Sequence, residues 1–128
     1  MPVGSYYKTG LKAVDGLVIE KYDRAAPHGI GNIKAAGNYG ADVKPAKEAA
    51  AAGYPIALYL DAKEHKYVEE FSTSNFIAID ASGAYVTPKS DSVLASVTNK
   101  VLQQLARDMG LKVHVRPIEY AEVETFKE

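Results

Sequence analysis

The sequence contains neither cysteine nor tryptophan among its 128 residues. The lack of cysteine excludes disulfide bonds, thiol nucleophiles and cysteine metal sites. Three histidines, His28, His65 and His114, lack the spacing of a metal site, so we expect no metal. No apolar run approaches the roughly 20 residues that a membrane-spanning helix needs, and residues 1–10 lack the apolar segment of a secretion signal. We therefore expect a cytoplasmic protein without a membrane partner.

An excess of charge of either sign is also missing. The 15 Lys and Arg residues nearly balance the 16 Asp and Glu residues, so the chain has no general attraction for nucleic acid. Its 47% hydrophobic and 24% charged residues are typical of a globular domain. Neither an internal repeat nor a low-complexity linker divides the chain. We expect a single domain over residues 1–128 that does not bind nucleic acid.

Hydrophobic periodicity predicts a mixed α/β domain with helices packed on a largely antiparallel sheet. The predicted strands are residues 16–22, 56–60, 67–70, 76–79, 84–86 and 111–115, with a hairpin turn at residues 80–83. The predicted helices are residues 34–52, which contain Pro45, and residues 97–109, with Ser96 as N-cap and Gly110 as the stop signal. Residues 120–128 predict the start of another helix. In the helix 97–109, the apolar side chains at helical spacing are Val97, Val101, Leu102, Leu105, Ala106 and Met109.

One lysine lies in a glycine-rich connection between a predicted strand and a predicted helix. The segment Gly-Ile-Gly-Asn-Ile-Lys at residues 29–34 places Lys34 among small and apolar neighbours. A partly desolvated lysine loses proton affinity and can attack a carbonyl to form a Schiff base. The alternative is an ordinary surface lysine at the start of a helix, which is the commoner arrangement for a lone lysine. The pattern by itself leaves both open.

Two adjacent glutamates, Glu69 and Glu70, end the predicted strand 67–70. Successive residues of a strand point to opposite faces, so one glutamate can be solvated while the other enters a site. In a site, such a carboxylate could hold a ring nitrogen in its protonated form. Two solvated surface glutamates are the alternative, and the commoner one.

A hydroxyl-rich loop at residues 87–96 leads into the predicted helix 97–109. The free N–H groups and the positive end of the helix dipole at such a start can bind an anion. A simple capped helix is the alternative, and it is the commoner interpretation of this feature taken singly.

Taken in order, these motifs resemble the pyridoxal-phosphate-dependent aminotransferases of fold type IV, most closely the branched-chain amino acid aminotransferases. The most specific combination is Lys-Ala-Ala-Gly-Asn-Tyr at residues 34–39 with a downstream Glu before Ser-Thr-Ser-Asn-Phe. Further matching segments are Gly-Ser-Tyr-Tyr-Lys at residues 4–8, Arg-Ala-Ala-Pro at 24–27, Leu-Tyr-Leu-Asp at 58–61, Thr-Pro at 87–88, Ser-Val-Leu at 92–94 and Val-Thr at 97–98. The resemblance implies amino transfer between leucine, isoleucine or valine and 2-oxoglutarate, with pyridoxal 5′-phosphate as cofactor.

The resemblance also implies roles for individual residues. Lys34 would bind the cofactor covalently and then move a proton during the reaction. Tyr39 would hydrogen-bond the phenolic oxygen of the cofactor, and Glu70 would pair with its pyridine nitrogen. Arg24, ten positions before the lysine, would lie beside the cofactor.

The phosphate-binding segment both matches the family and departs from it. The resemblance implies that the backbone N–H groups of Val97 and Thr98, with the Thr98 hydroxyl, bind the cofactor phosphate. The family's Pro-Gly before this pair is Ala-Ser at residues 95–96, the arginine that commonly follows is Asn99, and Ser72 replaces a common glycine. We expect weaker phosphate binding or a different backbone in this loop.

The resemblance covers only part of the family's large, cofactor-binding domain. We expect the small N-terminal domain and the end of the large domain, including a Gly-Thr-Ala strand beyond residue 128, to be absent from these residues. We therefore expect little or no activity, because substrate orientation depends on groups from those parts. Apolar faces and sheet edges that those parts would cover, and the dimers or larger assemblies of the family, predict a homo-oligomer.

Two other interpretations stay open. Aminodeoxychorismate lyases and D-amino-acid aminotransferases of the same fold would share Lys34, Tyr39 and Glu70, although the Arg-Ala-Ala-Pro and Gly-Asn-Tyr segments favour the branched-chain type. The chain could also be a non-catalytic remnant or assembly module that keeps the fold and binds no cofactor.

Overall fold

The computed structural model describes residues 12–128, and the Gly-Ser-Tyr-Tyr-Lys segment at residues 4–8 lies outside this range. In chain order the elements are β1 (Gly16–Ile19), α1 (Asn38–Ala51), β2 (Ile56–Leu60), β3 (Val68–Phe71), β4 (Ala78–Ile79), β5 (Tyr85–Pro88), α2 (Val97–Asp108), β6 (Val113–Arg116) and a 3-10 helix (Tyr120–Thr125). The predicted mixed α/β class is confirmed, and the predicted final helix is this short 3-10 turn.

The strands form two three-stranded sheets, ordered β1-β2-β3 and β4-β5-β6. Each sheet has one antiparallel pair, β2 with β3 and β4 with β5, and one parallel pair, β1 with β2 and β5 with β6. The expectation of one antiparallel sheet in the middle of the chain is therefore corrected. The reason is that α1 connects β1 to β2 and α2 connects β5 to β6, and a helical crossover returns the chain in the parallel direction.

The first helix begins later than the periodicity predicts. It starts at Asn38 rather than residue 34, and Lys34 lies in the irregular segment before it. The Asn38 side-chain amide donates hydrogen bonds to the carbonyl oxygens of Ile30 and Ile33, at 2.9 and 2.8 Å. These bonds hold the preceding residues in turns, because they give the backbone carbonyls partners outside a helix.

The second helix and the hairpin follow their sequence signals. The Ser96 hydroxyl oxygen accepts a hydrogen bond from the Asn99 N–H at 3.1 Å, which is the predicted N-cap. In the turn between β4 and β5, the Asp80 carboxylate accepts from the Ala84 N–H at 3.0 Å, and Gly83 has the positive φ of +85° for which glycine is suited.

The hydrophobic core lies between the two sheets and the C-terminal segment. Its main cluster consists of Leu58, Leu60, Val68, Phe76, Ala78, Val86 and Ile118. Of the predicted apolar set of this helix, Ala106 is buried and Leu102 is half-buried, so these two pack inward. The other members of the set are exposed, and they are Val97, Val101, Leu105 and Met109. Among residues 12–128, no helix combines the length and the apolar character needed to cross a membrane.

Candidate active site

A cavity of about 420 Å³ opens between the segment before α1, the end of β3 and the start of α2. Its wall brings together five of the predicted site residues, which are Arg24, Lys34, Tyr39, Glu70 and Val97. Thr98, the remaining one, is the exposed second residue of α2 and does not line the cavity. Amine, phenol, carboxylate, guanidinium and a helix start therefore meet around one space.

Lys34 is exposed, and its Nζ lies 5.5 Å from the centroid of the Tyr39 ring. The Tyr39 side chain raises the pKa of Lys34 by hydrogen bonding and by charge, and Glu70 adds to this effect. Of the two arrangements that the sequence left open for Lys34, the structure has the exposed one. Tyr39 itself is half exposed at the start of α1.

Glu70 is buried at the end of β3 and both of its carboxylate oxygens have donors. Oε1 lies 3.0 Å from Nη1 of Arg24. Oε2 accepts from the Asn75 side-chain amide at 3.0 Å and from the Leu94 N–H at 3.3 Å. Burial raises the pKa of Glu70, and the Arg24 charge opposes that effect. The carboxylate is thus held in a defined orientation at the cavity wall.

Glu69 is also buried, which corrects the expectation that one of the two glutamates would be solvated. The pairing of β2 with β3 shifts register by one residue between Leu58 opposite Phe71 and Leu60 opposite Val68. Such a bulge places an extra residue in β3 and interrupts the alternation of side chains. Both glutamates therefore turn toward Arg24 instead of toward opposite faces.

A polar network links the wall of the cavity to α2. Asn99 donates through its side-chain amide to Thr87 Oγ1 at 2.9 Å and to Asn75 Oδ1 at 3.3 Å. The Tyr85 hydroxyl donates to Asn99 Oδ1 at 2.8 Å. The sequence analysis noted Asn99 only as a replacement of the arginine common in the family. In the structure, its side chain connects α2 to β5. Sequence reasoning missed the role of Asn75, although the Ser-Thr-Ser-Asn-Phe segment pointed to it.

Asp42 is a second cavity residue that the sequence analysis did not single out. It lies one turn after Tyr39 on α1, and its carboxylate accepts a hydrogen bond from the buried Tyr59 hydroxyl of β2. Burial raises the pKa of Tyr59 above its usual value. The contact fixes α1 on the first sheet, and its only sequence signal is a tyrosine within an otherwise apolar strand.

The family model for class IV amino-transferases matches residues 6–128. The chain belongs to the class IV aminotransferases. This family uses pyridoxal phosphate, and the matched range includes every predicted site residue.

Curated relatives agree with this membership. The chain is 43% identical over 131 residues to an aminotransferase of Gibberella zeae, and 42% identical over 129 residues to a branched-chain-amino-acid aminotransferase of Helicobacter pylori. Each alignment covers 99% of this chain, with 34% and 38% of the respective relative. The chain thus spans little more than a third of these aminotransferases.

Solved structures agree as well. The branched-chain aminotransferase of Thermoproteus uzoniensis with norvaline matches all of this chain and 42% of its own, with a TM-score of 0.85 and 27% identity. A branched-chain amino acid aminotransferase of Escherichia coli covers 90% of this chain and 39% of its own, with a TM-score of 0.79 and 26% identity. The fold is part of fold type IV of the aminotransferases.

The cavity of this class IV aminotransferase fits the cofactor of its family in donor chemistry. Lys34 offers an amine for the aldehyde, and the buried Glu70 carboxylate is suited to a protonated ring nitrogen. The first-turn N–H groups of α2 at Val97 and Thr98 have no intrahelical acceptors and are suited to a phosphate. The Ser96 hydroxyl oxygen already accepts a hydrogen bond from the Asn99 N–H, so fewer N–H donors are available to a phosphate at that end of the cavity.

Proposed function

We propose that these residues form the cofactor side of a branched-chain amino acid aminotransferase, which transfers an amino group between leucine, isoleucine or valine and 2-oxoglutarate. The observation that carries the proposal is the single cavity that Lys34, Tyr39, Glu70 and the start of α2 share. When bound, pyridoxal 5′-phosphate supplies an electrophilic aldehyde and a ring that accepts electrons from the substrate.

In this proposal Lys34 provides the amine that holds the cofactor and later carries the proton. Its ammonium group must first lose a proton, which the adjacent Tyr39 hydroxyl is placed to influence. Tyr39 also faces the cavity, where it can donate to the phenolic oxygen of the cofactor. Lys34 and Tyr39 thus act as a pair at the reacting end of the site.

Glu70 and α2 would orient the other ends of the cofactor. Glu70 would accept a hydrogen bond from the protonated ring nitrogen, and its burial would strengthen that charge-assisted contact. The N–H groups of Val97 and Thr98, with the Thr98 hydroxyl, would bind the phosphate. Arg24 also lines the cavity, and its Nη1 lies 3.0 Å from Oε1 of Glu70.

The apolar part of the cavity supports a substrate with an aliphatic side chain. Ile33, Phe71, Leu94 and Val97 contribute apolar side chains to the wall. The branched-chain aminotransferases among the relatives support the same substrate class. The donor and acceptor would be this aliphatic amino acid and a 2-oxo acid.

We infer that the 128 residues alone turn over substrate slowly or not at all, and that they self-associate. Lys34 and Tyr39 are open to water in the described structure, which leaves a substrate poorly oriented. Exposed apolar side chains of α1 and α2 favour contact with a second copy. A cytoplasmic location stays a prediction from the sequence.

Covalent labelling tests the proposal. The purified chain is incubated with pyridoxal 5′-phosphate, reduced with borohydride and mapped by peptide mass spectrometry. We expect one label, on Lys34, and its complete loss in Lys34→Ala. We also expect leucine turnover by the same unreduced preparation to be near the background rate.

Lys44 provides a matched control. It is an exposed lysine whose Nζ lies 5.1 Å from the Tyr22 ring centroid, an arrangement similar to that of Lys34 and Tyr39. Lys44→Ala should keep the full label. Labelling spread equally over both lysines, or none in the wild type, would contradict the proposal.

A further inference from the structure

Arg24 is a buried arginine whose charged end is surrounded by acceptors from three directions. Nη1 lies 3.0 Å from Glu70 Oε1, and Nη2 lies 3.7 Å from Glu69 Oε2, an ion pair in which that oxygen accepts no hydrogen bond. Nη2 also donates a hydrogen bond to the Ser92 carbonyl. A planar guanidinium can satisfy several acceptors at fixed angles, which a lysine ammonium cannot reproduce.

Glu69 holds Arg24 from the side away from the cavity. Its Oε1 accepts from the Ser90 hydroxyl at 2.8 Å, and its side chain is 4% exposed. Glu69 does not line the cavity, whereas Glu70 does. The bulge in β3 therefore places Glu69 outside the cavity, whereas Arg24 and Glu70 meet at its wall.

The buried part of this group is unbalanced in charge, because one guanidinium faces two carboxylates. The charged groups that face Glu70 are the buried Arg24 and Glu69 and the exposed Lys34. Burial raises the pKa of both glutamates, and Arg24 acts against that change. A positively charged ligand group at Glu70 would compensate the excess carboxylate.

We propose that Arg24 is a positioning residue, held by Glu69, that orients the Glu70 carboxylate toward the protonated ring nitrogen of the cofactor. This inference rests on the proposed function. It assigns Arg24 a role that acts through Glu70, and it gives Glu69 the role of placing a second negative charge beside the arginine.

A pair of ligands isolates this role. Pyridoxal 5′-phosphate and its carbocyclic 1-deaza analogue share the aldehyde, the phenolic oxygen and the phosphate, but the analogue lacks the ring nitrogen. Dissociation constants for both are measured with the wild type, Arg24→Lys and Glu69→Gln. Arg24→Lys should raise the dissociation constant of pyridoxal 5′-phosphate about tenfold, because hydrogen bonds to charged groups contribute at least that much to binding. The dissociation constant of the analogue should stay within twofold of the wild-type value.

Glu69→Gln should also lower the preference for pyridoxal 5′-phosphate over the analogue, but by less than Arg24→Lys does. The reason is that the glutamine amide oxygen can still accept a hydrogen bond from Ser90. Arg107→Lys, at an exposed position of α2, is the control and should change neither constant. An equal loss for both ligands in Arg24→Lys would mean a structural role only and would overturn the inference, as would no loss for either.

A second measurement needs no cofactor. Glutamate carboxyl carbons labelled with ¹³C report the titration of Glu70 in the ligand-free chain. The Arg24 guanidinium lowers the Glu70 pKa, so Arg24→Lys should move it upward. An unchanged Glu70 titration would overturn the inference even if the wild type bound no cofactor, an outcome that would by itself count only against the proposed function.

Discussion

Gly31 is a buried residue without a side chain at the point where the loop before α1 crosses Arg24. A Cβ there would lie 2.6 Å from the Cβ of Ala25, 3.1 Å from Nη2 of Arg24, and closest of all to the Ser92 carbonyl oxygen. Glycine therefore lets the backbone approach the arginine closely. Gly31, the second glycine of the Gly-x-Gly pair in this loop, is therefore needed for close packing.

We predict that Gly31→Ala lowers the free energy of unfolding by about 1–3 kcal/mol, the usual cost of an overpacked site. The added methyl group must push away the Ser92 backbone, and with it the acceptor of Arg24. Urea denaturation of both chains measures the difference.

Gly40 is the matched control because a Cβ there meets nothing within 4 Å and the residue lies in α1. Gly40→Ala should be neutral or should stabilise the helix by up to about 1 kcal/mol. Equal effects of the two substitutions would show that the close approach at Gly31 has no energetic consequence.

At the level of single residues, some positions of the site could be predicted and others could not. Lys34, Tyr39 and Glu70 lie in a motif specific enough to be assigned from the sequence, and the structure brings them to one cavity. The burial of Glu69 could not be predicted, because it depends on a one-residue bulge that arises from the pairing of β3 with β2. The exposure of Lys34 likewise depends on where α1 begins.

At the level of elements, α2 shows why periodicity predicts a helix better than it predicts the buried face. Its boundaries follow from the Ser96 cap and from Gly110, which has a φ of +79°. Its most regular apolar stripe is exposed, whereas Ala106 packs inward. Similarly, β5 and β6 were predictable as strands, but their parallel pairing depends on the crossover through α2.

We predict that Ser96→Ala destabilises the chain by about 1 kcal/mol, because the Asn99 N–H loses its acceptor at the start of α2. Thermal unfolding followed by circular dichroism measures the change. Thr98→Ala, two residues along the same helix, should stay within about 0.5 kcal/mol of the wild type because that side chain is exposed. A wild-type-like Ser96→Ala would show that the cap contributes little.

At the level of the whole molecule, many large apolar side chains are exposed on the described surface. Four of them follow one another at four-residue steps along α2 and onto its C-cap, and they are Val97, Val101, Leu105 and Met109, each at least half exposed. A continuous stripe of this kind on a water-exposed helix is typical of an interaction surface. A second copy of the chain could associate through this stripe.

We predict that the 128-residue chain associates with itself in sedimentation equilibrium, and that Val101→Gln with Leu105→Gln shifts it toward monomer by at least tenfold in dissociation constant. The two substitutions remove apolar area without disturbing the core, because both side chains are exposed and point away from Ala106. Lys100→Gln with Gln104→Ala changes neighbouring exposed positions of α2 and should leave association unchanged. A monodisperse wild-type monomer would refute self-association. If the two double variants associated equally, self-association would instead be assigned to another surface. The reason is that only Val101→Gln with Leu105→Gln alters the stripe.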